Sequence, residues 1–250
     1  MADKRLGQNF LCNEDILEFE ASLVEISGKR VIEIGAGDGR LSKKLVLKNP
    51  SRLVLIEKDR NLARVLESEF KNMSNVSILN CDALEVDFSR FDVVFGNIPY
   101  SISSPLLFLL ARQQINRAVL CLQKEFALRL VAKPGTKEYG RLSVTAGHCF
   151  NSRIMRIVPA EAFRPKPKVD SAIVMLERRG EALGDEESDF IRKIFSYKKQ
   201  KVKNAIKHAF QTLGSSVLEM LPHKDRKVYT LNIEEIRDVF WSLKAYGKTD

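Results

Sequence analysis

Short apolar runs rich in β-branched residues recur along the chain, and helical periodicity lies between the early ones. Such runs are typical of buried strands, and alternation with helices indicates a parallel sheet covered on both faces. Arg40–Leu47 and Arg60–Phe70 are two of the predicted helices. The predicted strands are Val31–Ile34, Leu53–Ile56, Val76–Leu79, Phe91–Phe95, Ala118–Leu122, Ile154–Val158 and Ala172–Leu176. The pattern therefore predicts an α/β fold.

The last two predicted strands are separated by a segment without a long helical period. This segment, Pro159 to Ser171, contains several prolines and reads as a loop. Strands joined without a crossover helix pair in antiparallel fashion. We therefore expect a hairpin-like return at one edge of the sheet.

The pattern changes near Gly180, where a polar, acidic segment begins. Beyond this segment, Phe190–Phe210, Ser216–Leu221 and Ile233–Leu243 have helical periodicity. The change predicts two domains, an α/β domain over residues 1–180 and a small helical domain over residues 181–250.

Charge and hydropathy narrow the classes of partner. The 250 residues carry a net charge of +9, which favours a polyanionic partner. No apolar stretch approaches the roughly 20 residues that a membrane span needs, and the first residues lack the apolar core of a signal peptide. We expect a cytoplasmic monomer that does not bind membranes. The cysteines form no CxxC pair and have no histidine at ligand spacing, so no metal is expected.

The basic excess is concentrated between Asp189 and Glu219, where the sequence has no acid. Phosphate groups of a nucleic acid bind such lysine-rich segments without reading sequence. A solvated helix face is the alternative interpretation of the same pattern. The predicted phosphate-contacting residues are Lys198, Lys199, Lys201 and Lys203.

The strongest local signal is a glycine-rich turn after the first predicted strand. Gly35, Gly37 and Gly39 follow a buried strand and precede a helix, where open α/β sheets bind ligands. Their GxGxG spacing differs from the GxGxxG of dinucleotide sites, which disfavours an NAD-dependent oxidoreductase. A plain tight turn is the alternative.

Acidic residues follow the next two predicted strands. Glu57 stands where an acid accepts hydrogen bonds from both ribose hydroxyls, and Asp82 could accept from an adenine amino group. Taken alone, either acid is better explained as a solvated loop residue. With the glycine turn, they favour a cofactor that contains adenosine and few phosphates, since a P-loop Lys-Ser/Thr pair is absent.

The fourth predicted strand runs into Asn97-Ile98-Pro99-Tyr100. The N6 amine of adenine is a poor nucleophile because its lone pair is delocalised into the ring. An Asn oxygen and a neighbouring carbonyl that accept its two N–H bonds would free that lone pair for a methyl group. Pro99 stiffens the turn and Tyr100 offers a ring for stacking. A simple strand-terminating turn is the alternative.

Together these motifs resemble the ribosomal RNA adenine dimethyltransferase family over residues 4 to about 177. The resemblance adds an N-terminal signature, Lys4–Leu11, and a Phe163–Ser171 motif. The continuation Ser103-Ser104-Pro105 and the Tyr139-Gly140-Arg141 segment resemble the small-subunit branch, and the short lysine-rich C-terminal region resembles compact archaeal members.

The resemblance implies a Rossmann-like class I methyltransferase fold, S-adenosyl-L-methionine as cofactor and the small ribosomal subunit or its precursor as substrate. Two adjacent adenosines in a hairpin loop near the 3′ end of the RNA would each receive two methyl groups. Asn97 and the backbone near Pro99 would hold the target amine, and Tyr100 and Phe163 would sandwich the flipped base. The implied cofactor-binding residues are Gln8, Asn9, Leu11, Glu33, Gly35, Gly37, Glu57, Lys58, Asp82, Ala83 and Asn97.

Three other functions stay open at this point. The first is dimethylation of large-subunit ribosomal RNA. The second is a ribosome-assembly factor that binds RNA without catalysis, which the intact motifs disfavour. The third is DNA adenine methylation, but that class more often carries Pro-Pro where this chain has Ile98-Pro99.

Overall fold

The structure, a computed structural model, describes residues 9–211 and 214–246. Its strands, in chain order, are β1 (Phe10–Leu11), β2 (Arg30–Ile34), β3 (Arg52–Ile56), β4 (Val76–Leu79), β5 (Val93–Asn97), β6 (Arg117–Gln123), β7 (Phe150–Val158), β8 (Phe163–Arg164) and β9 (Ser171–Arg178). Its helices are α1 (Glu14–Ser22), α2 (Arg40–Val46), α3 (Arg60–Glu69), α4 (Ser103–Arg112), α5 (Lys124–Leu130), α6 (Arg141–Cys149), α7 (Asp185–Phe195), α8 (Val202–Ala209), α9 (Ser215–Met220) and α10 (Ile233–Ala245).

Seven strands form one sheet in the order β4-β3-β2-β5-β6-β9-β7. The five strands from β4 to β6 are parallel, as the alternation with helices predicts. In β2, β3 and β5 nearly every residue is buried, so both faces of the central sheet are covered. This arrangement confirms the predicted α/β fold and places the carboxyl ends of the five parallel strands at one edge.

The sheet is mixed, as the predicted antiparallel return at one edge requires. Strand β9 pairs antiparallel with β6 on one side and with β7 on the other, and β7 forms the edge. The connection between β7 and β9 contains no α-helix, and the chain returns antiparallel as predicted. Within that loop β8 pairs antiparallel with β1, which brings Leu11 opposite Phe163.

The chain divides into two compact units. The first comprises Met1–Ala127 and Phe150–Arg179, and the second comprises Leu128–Cys149 and Gly180–Asp250. The sequence-based division near residue 180 assigned residues 128–149 to the first domain. In the structure Tyr139 and Val144 belong instead to the apolar core that α7, α8 and α10 build. The two-domain assignment itself stays a prediction.

One predicted helix, Phe190–Phe210, is wrong as a single element. It consists of α7 and α8, separated at residues 196–201. The break arises because this segment pairs with a distant one: Lys201 forms a bridge with Lys227, and the Val228 N–H donates to Gln200 O at 3.0 Å.

No helix in the described part of the chain is both long and apolar enough to cross a bilayer.

Candidate active site

A pocket opens at the carboxyl edge of the parallel strands. The turns that follow β2, β3, β4 and β5 each contribute residues to its lining, and β6 and β9 contribute Cys121 and Ser171. The predicted site residues that line it are Asn9, Leu11, Glu33, Gly35, Gly37, Glu57, Lys58, Asp82, Ala83, Asn97, Pro99, Tyr100 and Phe163. Gln8, the other predicted cofactor-binding residue, lies outside the described residues.

The glycine turn has the backbone conformation that requires glycine. Gly35, Gly37 and Gly39 have φ values of 67°, 59° and 79°, which side chains disfavour. A Cβ on Gly37 would lie 2.9 Å from the Phe10 ring, so the space is also closed to alanine. The turn therefore exposes backbone to the pocket at close range, as the spacing predicts.

Glu57 joins the glycine turn to the end of β3. Its side chain lies in the pocket wall and accepts hydrogen bonds from Gly37 N at 2.9 Å and Asp59 N at 2.8 Å. Burial raises the pKa of Glu57, while these N–H donors oppose the rise. Two carboxylate oxygens offer about four acceptor positions, so Glu57 retains capacity for ribose hydroxyls.

Asp82 begins the turn after β4 and is held from two directions. Its Oδ1 accepts from Leu84 N at 2.9 Å, and its Oδ2 lies 2.7 Å from Lys58 Nζ. The Lys58 ammonium, followed by the Leu84 N–H, lowers the pKa of this carboxyl. The two predicted cofactor residues Lys58 and Asp82 are thus an ion pair at the pocket rim.

Glu33 lies deeper, below the glycine turn. It is fully buried, and Ser42 Oγ donates to its Oε2 at 2.6 Å. Nearby Glu20 on α1 is also fully buried, and neither of its carboxyl oxygens has a hydrogen-bond partner among the described residues. Burial raises the pKa of each to about 8, and the Glu33 charge adds to the rise for Glu20.

Asn97 is the last residue of β5, and two backbone hydrogen bonds hold the turn after it. The Ile98 N–H donates to Cys121 O at 3.1 Å, and the Ile102 N–H donates to Pro99 O at 3.1 Å. The Asn97 Oδ1 atom is buried in the protein wall of the pocket, and no described residue donates to it. A buried amide oxygen without a donor is costly, by about 1–3 kcal/mol, unless a ligand supplies one.

Two aromatic side chains line the pocket beside Asn97. Tyr100 begins the 3-10 turn that follows Pro99, and its hydroxyl lies 2.9 Å from Ser171 Oγ. Phe163 begins β8 and is almost completely buried. The structure therefore brings Asn97, Tyr100 and Phe163 to one cavity from segments far apart in sequence.

Two residues that support the pocket, Gly96 and Ser171, were not among the predicted site residues. A Cβ on Gly96 would lie 2.6 Å from Ile98 Cδ1 and 2.9 Å from Ile34 O, so only glycine fits before Asn97. Ser171, at the start of β9, contacts Tyr100 across 71 residues of sequence. A glycine inside an apolar strand indicates a close approach of another segment, so Gly96 could have been singled out from the sequence. The contact of Ser171 with Tyr100 depends on the order of strands in the sheet, which the sequence pattern does not give.

The four predicted RNA-contacting lysines lie in the second unit, and they do not share one helix face. Lys198 donates to the backbone oxygens of Lys137 and Tyr139 at 3.1 and 2.7 Å. Lys201 and Lys203 form exposed ion pairs with Asp225 at 3.3 and 3.4 Å.

Lys199 is exposed, and it differs from these three lysines because it has no hydrogen bond or ion pair with a described residue. It is therefore the most available of the four for an external phosphate.

The chain that forms this pocket matches a known protein family. The family model described as "Ribosomal RNA adenine dimethylase" matches residues 1–243. The chain belongs to this family. Membership makes it an S-adenosylmethionine-dependent ribosomal RNA adenine dimethyltransferase and confirms the predicted cofactor and reaction.

Two archaeal relatives illustrate the similarity. A Thermococcus sibiricus protein named "Probable ribosomal RNA small subunit methyltransferase A" is 37% identical over 248 residues, which is 94% of this chain and 89% of the relative. A Methanosphaera stadtmanae protein of the same name is 35% identical over 251 residues, which is 99% of this chain and 89% of the relative.

Solved structures confirm the class I methyltransferase fold. A dimethyladenosine transferase from Plasmodium falciparum superposes with a TM-score of 0.85 at 26% identity, covering 96% of this chain and 98% of the other. The 23S rRNA methyltransferase ErmE superposes with a TM-score of 0.71 at 24% identity, covering 94% and 99%. At that identity ErmE supports the fold and not the choice of RNA.

Proposed function

We propose that this enzyme places two methyl groups on N6 of each of two adjacent adenosines, in a hairpin loop near the 3′ end of small-subunit ribosomal RNA. The observation that carries the proposal is that Asn97, whose Oδ1 is a buried acceptor without a described donor, lines the same pocket as Tyr100 and Phe163. The choice of the small subunit is supported by the names of the archaeal relatives.

The residues around the glycine turn fit the cofactor. Positive φ at Gly35 and Gly37 leaves the backbone open to a ligand, and Glu57 keeps acceptor capacity for ribose hydroxyls. Asp82 is an ionised acceptor at the rim, since Lys58 holds its pKa low. When bound, S-adenosylmethionine supplies a methyl group on a positively charged sulfur, and no metal is required for its transfer.

Asn97 and the aromatic rings then act on the target base. A base paired or stacked in RNA must leave its stack to enter such a pocket. Tyr100 and Phe163 would hold its two faces, and Asn97 Oδ1 would accept one N–H of the N6 amine. Most of the rate gain would come from this positioning.

Proton release and the second methylation follow from the same geometry. Burial raises the pKa of Tyr100, so its hydroxyl stays neutral near pH 7 and does not act as a strong base. The methylated N6 is cationic and loses its proton to water. The product, a monomethyl amine, retains one N–H for Asn97, which permits the second transfer.

Contact with the RNA backbone is proposed for the lysine-rich segment. Lys199 is available as it stands, while Lys201 and Lys203 could exchange exposed acidic partners for phosphates. Because Lys198 holds backbone oxygens, its proposed role is indirect. We further propose that the enzyme acts as a cytoplasmic monomer.

The test is methyl transfer from radiolabelled S-adenosylmethionine to unmethylated small ribosomal subunits, with large subunits and duplex DNA in parallel, followed by nucleoside analysis. We expect dimethyladenosine with small subunits alone. Asn97→Ala should abolish it, whereas Asn151→Ala, an exposed asparagine on β7, should not.

Two other outcomes of the same assay would contradict the proposed function. Label on large subunits or DNA would refute the small-subunit assignment. Absence of label with every substrate, with cofactor still bound, would instead support an RNA-binding assembly factor.

A further inference from the structure

The dipeptide Asp170-Ser171 contacts both segments that carry the aromatic rings of the pocket. Ser171 opens β9, between β6 and β7, where its Cα is in register with Gln123 and Val158. The residue is 1% exposed, so its hydroxyl has a fixed place in the pocket wall. A group flanked by strands on both sides is a rigid reference point for the more irregular segments around it.

The first contact is to the turn that carries Tyr100. The Ser171 Oγ lies 2.9 Å from the Tyr100 hydroxyl, on the side of the ring opposite its backbone. A tyrosine ring attached only at Cβ can rotate about two torsions, and a hydrogen bond at the hydroxyl removes that freedom. Tyr100 follows Asn97 by three residues, so the contact also helps to fix the turn that carries the Asn97 side chain.

The second contact is to the turn that precedes Phe163. The Asp170 Oδ1 accepts from Ala160 N at 3.3 Å, at the start of the 3-10 turn that leads into Phe163. Its Oδ2 lies 3.2 Å from Lys124 Nζ, and its backbone oxygen accepts from Lys124 N at 3.0 Å. The start of β9 is thereby joined to the end of β6 and to the Phe163 segment.

We propose that Ser171, supported by Asp170, is a positioning residue that fixes the Tyr100 ring relative to Phe163 so that the target adenine is held at the angle methyl transfer requires. The proposal rests on the proposed function, because it assigns Tyr100 and Phe163 to the base. Ser171 acts through the Tyr100 hydroxyl and does not itself touch the reacting atoms. Asp170 contributes less, since its ion pair with Lys124 is about 40% exposed.

The proposal predicts a particular kinetic pattern. Ser171→Ala should lower kcat about threefold to tenfold, the range that one neutral hydrogen bond represents, with a smaller change in KM. The second methylation should suffer more than the first because the monomethyl amine has one N–H fewer to orient it. Monomethyladenosine should therefore accumulate.

A double-mutant cycle separates this role from simple packing. Ser171→Ala, Tyr100→Phe and the double variant are assayed on unmethylated small subunits, with kcat, KM and the ratio of mono- to dimethyladenosine measured for each. If Ser171 acts through the Tyr100 hydroxyl, the double variant should match the single variants. Ser171→Thr, which keeps a hydroxyl, should restore most of the rate.

Matched controls keep the outcome interpretable. Ser152→Ala removes a buried hydroxyl of the same sheet that has no partner among the described residues, and it should leave kcat and the product ratio unchanged. Affinity for S-adenosylhomocysteine, measured by calorimetry, should be equal in all variants.

Additive losses in the cycle, failure of Ser171→Thr to recover, or a loss confined to KM would each overturn the positioning role. A wild-type enzyme that forms no dimethyladenosine would overturn the proposed function instead.

Discussion

Replacing Glu20 by glutamine should stabilise the protein, increasingly so as the pH rises. Glu20 is fully buried beside Glu33, with no described hydrogen-bond partner, and burial followed by the Glu33 charge raises its pKa from 4.5 to about 8. Unfolding returns the carboxyl to water and to its ordinary pKa. Glutamine has nearly the same shape and cannot ionise.

The sign and size of the change in the free energy of unfolding follow from proton linkage. An acid whose pKa is higher in the folded state binds more protons when folded, so stability falls as the pH rises from about 4.5 to about 8. Each pH unit in this window costs about 1.4 kcal/mol. Glu20→Gln should therefore raise the free energy of unfolding by about 1 kcal/mol at pH 5.5, about 3 kcal/mol at pH 7 and about 5 kcal/mol above pH 8.

Urea unfolding at pH 5.5, 7.0 and 8.5 measures this difference. Circular dichroism is the appropriate signal because the single tryptophan, Trp241, lies in the second unit and Glu20 lies in the first. Glu67→Gln, an exposed glutamate on α3, is the matched control and should stay within about 0.5 kcal/mol of wild type. A gain for Glu20→Gln that is equal at all three pH values would refute the reasoning.

Three further predictions concern the pocket and the lysines. Gly37→Ala should weaken binding of S-adenosylhomocysteine at least tenfold by calorimetry, whereas Gly28→Ala, with a similar φ of 69° and open space around it, should lose stability but not affinity. Glu57→Gln should weaken the same binding about tenfold or more, because it removes a charged acceptor; unchanged affinity would exclude Glu57 from the cofactor site. Lys199→Ala should reduce the salt dependence of RNA binding by about one ion, whereas Lys198→Ala should instead lower the melting temperature.

The central fold could be predicted because the strands β2, β3 and β5 are buried on both faces. Their sequences are nearly continuous apolar runs, and the predicted strand Leu53–Ile56 differs from β3 only at its first residue. The pocket residues could be predicted for a related reason. In a parallel sheet the carboxyl ends meet at one edge, so the glycine turn, Glu57, Asp82 and Asn97 had to converge.

Contacts between distant segments could not be predicted in this way. The break between α7 and α8 contains no proline or glycine, and it depends on the pairing of Lys201 with Lys227. The contact of Ser171 with Tyr100 depends on β9 lying beside β6, an order that local periodicity does not encode. The buried position of Glu20 likewise contradicts the usual preference of glutamate for water.

The place of β9 in the sheet has a consequence for synthesis on the ribosome. Strand β6 has five consecutive buried residues, Ala118–Leu122, and its partner on one side is made only after the chain has passed through residues 128–149 of the other unit. Until residues 171–178 emerge, β6 is an apolar sheet edge with unpaired backbone groups, which is a template for aggregation. The nascent chain therefore exposes this aggregation-prone edge until β9 is made, which is also the point at which Ser171 can join the base-binding pocket.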